Sequence, residues 1–366
     1  MKISPGLQVS SSSSPSSQLV CKLKKGYISS KNDYSLFTKS SAGSLVVLAV
    51  YVDDIFLAGD ELFEMHSLKG FLDDQFKIND VGTIQYFLGL EVFSHSSGYI
   101  VSQHKYASDL LAEYHCDNFT PVVTPLDHSV KLSSDVGDLL PYPGSYRKLI
   151  GKLNFLQHTR PYISYVVQHL SQFLHFPRVP HMMASLHVLR YISNDLTQEI
   201  LFSNSIDTSL VTYTNSDWVA CATSRKSVSS FYVSLGGCPI SWKSKKQPTI
   251  SLSSAEAEYR VLRMVVVEVS WLIRLLGDMG LSFFSPVPIF YDSQIVTLLG
   301  TVLSSGMISL YFVRSSDQLA DIFTKALHGA SHHSLLDKLG VLSPPNLRGL
   351  LKVALFTATN PIKRPN

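Results

Sequence analysis

The alternation of apolar and polar positions changes character several times along the chain. Residues 1–30 hold no period of 2 or 3.6; serine and proline crowd together in "SPGLQVSSSSSPSS", which predicts a disordered Ser-rich leader. From 31 to 117 the text turns strand-like. Leu45–Val52 and Ile55–Ala58 are apolar runs parted by Asp53 and Asp54, "LKGFLDDQF" reads as the end of a helix, and Ile84–Gln103 reads as a hairpin. Tyr106, Leu110, Leu111 and Tyr114 fall on one side of a helix over Lys105–Tyr114.

Four prolines and the patch "SSDVGD" make 118–143 the linker of the chain. Over 144–205 the period is helical. Helices are expected at Tyr146–Gln157, Tyr162–Phe176 and Pro180–Ile192, broken at "TRP" and "FPRVP" because proline fits a first turn but not a helix interior. From 206 to 342 strands return: "LVTYTNSDW", a hairpin in "SSFYVSLGGCPISWKSKKQ" around Gly236 and Gly237, then "VPIFYDSQ" and "MISLYFV". The longest helix opens at "SSAEAEYR", and "DQLADIFTKAL" predicts a last one. Residues 343–366 read as a flexible tail. The fold class is therefore α/β and α+β, with a mixed α/β domain at 206–342.

Composition changes this picture little. Among 366 residues, 45% are hydrophobic and 16% charged, as in a globular protein and unlike a disordered one. The net charge of +3 is too small to argue for a nucleic-acid partner. Cys21, Cys116, Cys221 and Cys238 form no CxxC unit, so a reducing compartment is expected. The apolar run Leu45–Val52 is too short to span a bilayer, and the expectation is an intracellular protein, cytoplasmic or nuclear, without a membrane partner.

Asp53 and Asp54 carry the first candidate chemistry. Neighbours on a strand point to opposite faces, so two adjacent acids between apolar runs require the chain to turn. A tight hairpin with "YVDD" at its tip offers oxygen ligands to a divalent cation, as a polymerase palm requires. An ordinary polar turn also accounts for the pair.

The wider text narrows the choice. "YVDDIFLAGD", "GTIQYFLGLEV", "SQHKYASDLL", "YRKLIGKLNFLQHTRPYISYVV" and "GGCPISWKSKKQPTISLSSAEAEYR" resemble, in this order, the Ty1/copia class of retrotransposon polyproteins. The resemblance covers roughly Asn32 to Val341. It implies a partial reverse-transcriptase palm, a helical thumb and connection region, and a ribonuclease H-like mixed α/β domain. Asp53 and Asp54 then match the paired aspartates of the polymerase. The family also carries a third carboxylate on an earlier strand. Asp33 is the one acid before Asp53 here and sits in "KNDYSLF", a poor substitute, so no polymerase activity is expected.

The same resemblance implies a second acidic set, which would hold two metals in a ribonuclease H. Glu256 matches the helix carboxylate, Asp292 the one on the adjacent strand, and Asp321 the acid near the C-terminal helix. Asn215 stands where the family has its metal-bridging aspartate. An amide brings a carbonyl oxygen but no negative charge. Asp217 lies on the same strand face, a pleat repeat further on, and is a possible substitute. Ser253 with Glu256 also reads as a capping box. An apolar stripe Ala255, Tyr259, Leu262, Val266, Val269, Leu272 or Ile273 and Leu276 is expected beneath it. Between Asp292 and Tyr311 the chain is shorter than the family pattern by a helix's worth of residues, which predicts exposed apolar surface beside the sheet.

Lys243, Lys245 and Lys246 beside Trp242 form the clearest basic cluster, with Arg225 and Lys226 in the preceding turn; solvated hairpin charge is the alternative. Taken together, these residues predict a remnant of a copia-type reverse transcriptase and ribonuclease H, catalytically inactive. Its partners would be RNA, DNA or their hybrid, and other parts of a polyprotein; Mg2+ or Mn2+ would serve any residual activity. A weak metal-dependent hybrid nuclease and a non-catalytic nucleic-acid-binding module are the other two readings.

Overall fold

A computed structural model describes residues 26–41, 43–52, 54–116, 119–194, 196–293 and 306–342. The first sheet is an antiparallel meander in the order β1 (Ile28–Ser29), β2 (Leu36–Ser41), β3 (Ser44–Tyr51) and β4 (Asp54–Gly59). Alternation along β3 turns Val46 and Leu48 inward, where Leu68 and Leu72 of helix α1 (Leu62–Phe76) meet them. Tyr51 pairs with Asp54, so the chain turns back on itself between them. Val52 adopts φ +51° there, a left-handed conformation that a β-branched residue rarely takes.

The expected hairpin at 84–103 consists of β5 (Tyr86–Phe87), β6 (Leu90–His95) and β7 (Gly98–Ser102). Helices α2 (His104–Glu113), α3 (Pro143–Leu156), α4 (Ser164–Ser171) and α5 (Val179–Asn194) follow. The expected helix at Tyr162–Phe176 is split: Pro161–Ile163 forms a 3-10 turn, and the α-helical part ends at Ser171. Leu149, Leu153, Val166, Leu170, Val188 and Leu189 close the core between these helices. The proline-rich segment before them lies against α5. Arg178 donates from Nε to Ser134 O and from a terminal nitrogen to Gly137 O, both at 2.6 Å, and Arg190 Nε donates to Thr120 O at 3.0 Å.

Strand β8 (Glu199–Ser203) pairs with β7, which joins the hairpin to chain a hundred residues later. The larger sheet is mixed. Strands β9 (Leu210–Asp217), β10 (Val228–Leu235) and β11 (Cys238–Lys246) are antiparallel, and the order is β11-β10-β9 followed by β12 (Val287–Tyr291) and β13 (Ile308–Phe312), the last two parallel to β9. Leu235 pairs with Cys238, leaving Gly236 and Gly237 as a two-residue turn with φ +55° and +78°. A Cβ on Gly236 would lie 2.2 Å from Asp207 O, so only glycine fits there.

Helix α6 (Ser254–Asp278) covers one face of this sheet, burying Val261, Val265 and Val269 against Phe231 and Val233. The other face packs Tyr232 on Phe323 and the helical core. Because both faces of β10 are covered, its sequence shows no alternation. The helix expected at "DQLADIFTKAL" is instead a 3-10 segment, Leu319–Phe323, and the α-helix comes later as α7 (Gly329–Leu336). All five residues of that segment are buried. Strand β14 (Val341–Leu342) then adds to β8, completing an antiparallel sheet in the order β14-β8-β7-β6-β5.

The architecture is thus mixed α/β, with two antiparallel sheets and a larger mixed one. Among the described residues no helix is long and apolar enough to cross a membrane. Among the described residues strand β13 is the edge of the mixed sheet, and Tyr311 and Phe312 on it are exposed. Residues 294–305 lie outside the described residues.

Candidate functional site

Parallel pairing of β9 with β12 brings their C-terminal ends side by side, so Asn215 near one end and Asp292 just past the other come to one rim of the sheet. The 3-10 segment delivers Asp321 to the same rim from below, and the first turns of α6 approach from the opposite face. Asn215 donates its side-chain amide to Asp321 Oδ1 in a short hydrogen bond, and to Thr324 Oγ1 at 3.3 Å. The second oxygen of Asp321 faces Lys325 Nζ at 2.9 Å. Asp292 accepts from Ser315 Oγ at 3.0 Å.

Glu256 is not in this cluster. Its backbone N–H donates to Ser253 Oγ at 3.1 Å, its carboxylate accepts from Leu252 N at 2.8 Å, and Arg260 holds the other oxygen at 2.6 Å. These bonds to the Leu252 amide and to Arg260 keep its carboxyl below the usual range. It caps the helix, which corrects the assignment of Glu256 as the helix carboxylate of the site. The residue facing the sheet is Glu258. Two helical positions amount to about 200° of rotation, so the two glutamates lie on opposite sides of α6.

Glu258 is buried, with 7% of its surface exposed, and its Oε1 accepts from Ser216 N at 3.3 Å. Burial first, then the negative charges of Asp292 and Asp321, push its carboxyl up to about 8. Burial also raises Asp321, countered by the Lys325 ammonium. Asp217, half-buried at the end of β9, is raised by burial and drawn down by Lys325. Glu258, Asp292 and Asp321 therefore share one electrostatic field, with Asp217 on its margin.

The signal for Glu258 was present in the spacing. The buried stripe of α6 runs Ala257, Val261, Val265, Val269, Leu272 and Leu276, with Tyr259 exposed. Leu262, Val269 and Leu276 of the expected stripe are buried, but its start at Ala255 and Tyr259 is not; starting it at Ala257 places Glu258 at its sheet-facing margin.

The other candidate residues lie elsewhere. Asp54 is exposed at the hairpin tip of the first sheet, and Asp53 lies outside the described residues. Pleat alternation divides the basic cluster: Lys243 and Lys245 are exposed, whereas Lys246 is half-buried on the other face with Trp242, which packs on the helical core. Lys246 Nζ donates to Gln172 Oε1 at 2.6 Å and lies 3.0 Å from Cys221 Sγ. Arg225 is exposed and Lys226 half-buried in the turn before β10. Among the described residues no three His, Cys, Asp or Glu side chains converge closely enough to hold a metal ion.

Comparison with known proteins places the chain in a family. The family model described as reverse transcriptase (RNA-dependent DNA polymerase) matches residues 15–128. The chain is 34% identical over 340 residues to the retrovirus-related Pol polyprotein from transposon RE1 of Arabidopsis thaliana, covering 87% of this chain and 23% of that protein. It is 30% identical over 251 residues to a transposon Ty5-1 protein of Saccharomyces cerevisiae, covering 68% of this chain and 82% of that one. An uncharacterised mitochondrial protein of Arabidopsis thaliana is 36% identical over 225 residues, covering 61% and 93%. No solved structure matches.

A mixed α/β chain with these relatives is a segment of retroelement type. It belongs to the family of Ty1/copia-type retrotransposon Pol polyproteins. The chain spans about a quarter of the length of the RE1 and RE2 polyproteins.

Proposed function

We propose that this chain is a reverse transcriptase and ribonuclease H remnant that engages RNA–DNA hybrids and does not cleave them. On this reading residues 31–117 form a partial palm, 144–205 the thumb and connection helices, and 206–342 a ribonuclease H-like unit. The match of 15–128 to the reverse-transcriptase model supports the first assignment.

The observation that carries the loss of cleavage is the hydrogen bond of Asn215 to Asp321. A two-metal nuclease needs a carboxylate between its ions, about 4 Å apart. Here an amide turns its N–H toward Asp321, and Lys325 occupies the second oxygen. This donor set does not fit a pair of Mg2+ or Mn2+ ions, because the bridging position holds an uncharged amide and Asp321 is already paired with Lys325. Hybrid binding would then fall to exposed cations such as Lys243 and Lys245.

The test is cleavage of a labelled RNA–DNA hybrid in Mg2+ or Mn2+. The native chain should give no product above an Asp292→Asn control. Product that the control abolishes would overturn the proposal in favour of a weak nuclease working from Glu258, Asp292 and Asp321.

A further inference from the structure

A cleft of about 370 Å3 opens between α3, α4 and β11, on the face of the mixed sheet opposite α6. Asn154, Gln157, Gln168, Gln172, Ser244 and Lys246 provide its polar lining. Ser164 also lines it, is itself buried, and its Oγ has no partner. Gln168 Oε1 and Ser244 Oγ are likewise buried without a hydrogen bond. Turning the Gln168 amide over leaves its NH2 in the same unpartnered place. Polar atoms facing a cleft of this size are met by water, or by a ligand that displaces the water and completes the same bonds.

The lining selects the ligand. No carboxylate is present to hold a cation, and Val167 is the one aliphatic side chain, so neither a metal nor an apolar molecule fits. The Lys246 ammonium is already bonded to Gln172 and lies against Cys221, and an anion alone would leave the Gln168 carbonyl without a donor. Amides and hydroxyls in rows match a flat group with adjacent donors and acceptors, as side-chain amides match the edge of a nucleobase. The volume lies within the roughly 300–1,000 Å3 of small-ligand pockets.

We propose that this cleft takes one nucleobase-bearing unit, read by Gln168 and Ser244, with the buried Ser164 hydroxyl as a third bonding group. The inference deepens the nucleic-acid reading above and rests on it for the ligand's origin.

Cys221 supplies a local readout. Burial raises the thiol, but hydrogen bonds with Ser224 and Lys246 outweigh it and bring it down to about 7, which makes it reactive; its sulfur lies against Gln172 and Lys246 of the lining, so a ligand seated there hinders approach to it. Iodoacetamide alkylation of Cys221 in the full chain, followed by peptide mass spectrometry, should slow several-fold as nucleoside monophosphates or short single-stranded RNA oligonucleotides are added. Buried Cys116 serves as the internal control.

Slowing by monophosphates assigns the site to free nucleotides, and slowing by strands alone assigns it to an unpaired residue of a strand. No slowing by either overturns the proposal. In Gln168→Leu, protection should need about 10-fold more ligand, from the loss of one buried bonding group; an unchanged response in the folded variant also overturns it. Hybrid binding measured on the same samples reports separately on the parent reading, since an amide in this cleft leaves the exposed lysines intact.

Discussion

The side-chain amide of Asn215 donates to Asp321 across 106 residues of chain, while Lys325 holds the second oxygen of the same carboxylate at 2.9 Å. One buried acid is thereby hydrogen-bonded on one oxygen by an amide and paired on the other with an ammonium, both supplied by the protein itself. Asn215→Asp replaces the donor with a second carboxylate and leaves one ammonium for two acids. We expect a stability loss of about 2–4 kcal/mol at neutral pH, from the broken hydrogen bond and an uncompensated buried charge. Divalent cations should recover part of it. Thermal midpoints with and without Mg2+ decide the matter: equal midpoints for both proteins would show that the amide bond to Asp321 carries no stability.

Glu258 gives the fold a pH dependence opposite to that of a salt-bridged acid. Its folded value, about 8, lies above the ordinary carboxylate range, so the native state binds more protons than the unfolded chain between about pH 4.5 and 8. Stability from this group is therefore full below that window, falls as pH rises through it, and is flat above. Each pH unit corresponds to about 1.4 kcal/mol at most. Glu258→Gln keeps an acceptor for Ser216 N and removes the titration. The variant should equal the native chain near pH 5 and exceed it at pH 8. Urea midpoints across this range test it, and parallel curves would sink the idea.

How much of this was legible beforehand depended on whether local sequence or long-range packing decides a feature. The β10–β11 hairpin was legible because Gly236-Gly237 leaves little choice of turn. The β3–β4 turn was legible because adjacent acids cannot both face an apolar layer. Glu258 was missed because "EAE" offers two acids on opposite helix faces, and the capping signal of Ser253 drew attention to the first. The state of Leu319–Phe323 was not legible either. It is buried on all sides by β9, β10 and α4, and Gln318, which donates to Thr214 O at 3.0 Å, ties its start. Pleat alternation along β11 would have separated Lys246 from Lys243 and Lys245, had it been applied to residues that look like one cluster.

Val52 stores strain at the tip of the first hairpin. A β-branched residue at φ +51° opposes its own side chain, and asparagine tolerates this region better. Val52→Asn should stabilise the chain by about 1 kcal/mol, read as a raised thermal midpoint. A lowered midpoint would mean that the exposed Val52 side chain contributes more than its backbone loses.

The division of the basic cluster predicts two kinds of lysine in hybrid binding. Lys243 and Lys245 are exposed on β11 and free to meet phosphates, whereas the Lys246 ammonium is held by Gln172 beside Cys221. Removing one lysine that pairs with a phosphate should lower the slope of log affinity against log salt by about 1. Replacing Lys243 and Lys245 together by alanine should therefore reduce the slope by about 2 and weaken binding most at low salt. Lys246→Ala should leave the slope unchanged, since its charge is not spent on phosphate. Fluorescence anisotropy with a labelled hybrid over a salt series measures both. A slope that falls equally in all three substitutions would mean that the strand's two faces act as one patch, and that Lys246 leaves its cleft to reach the nucleic acid.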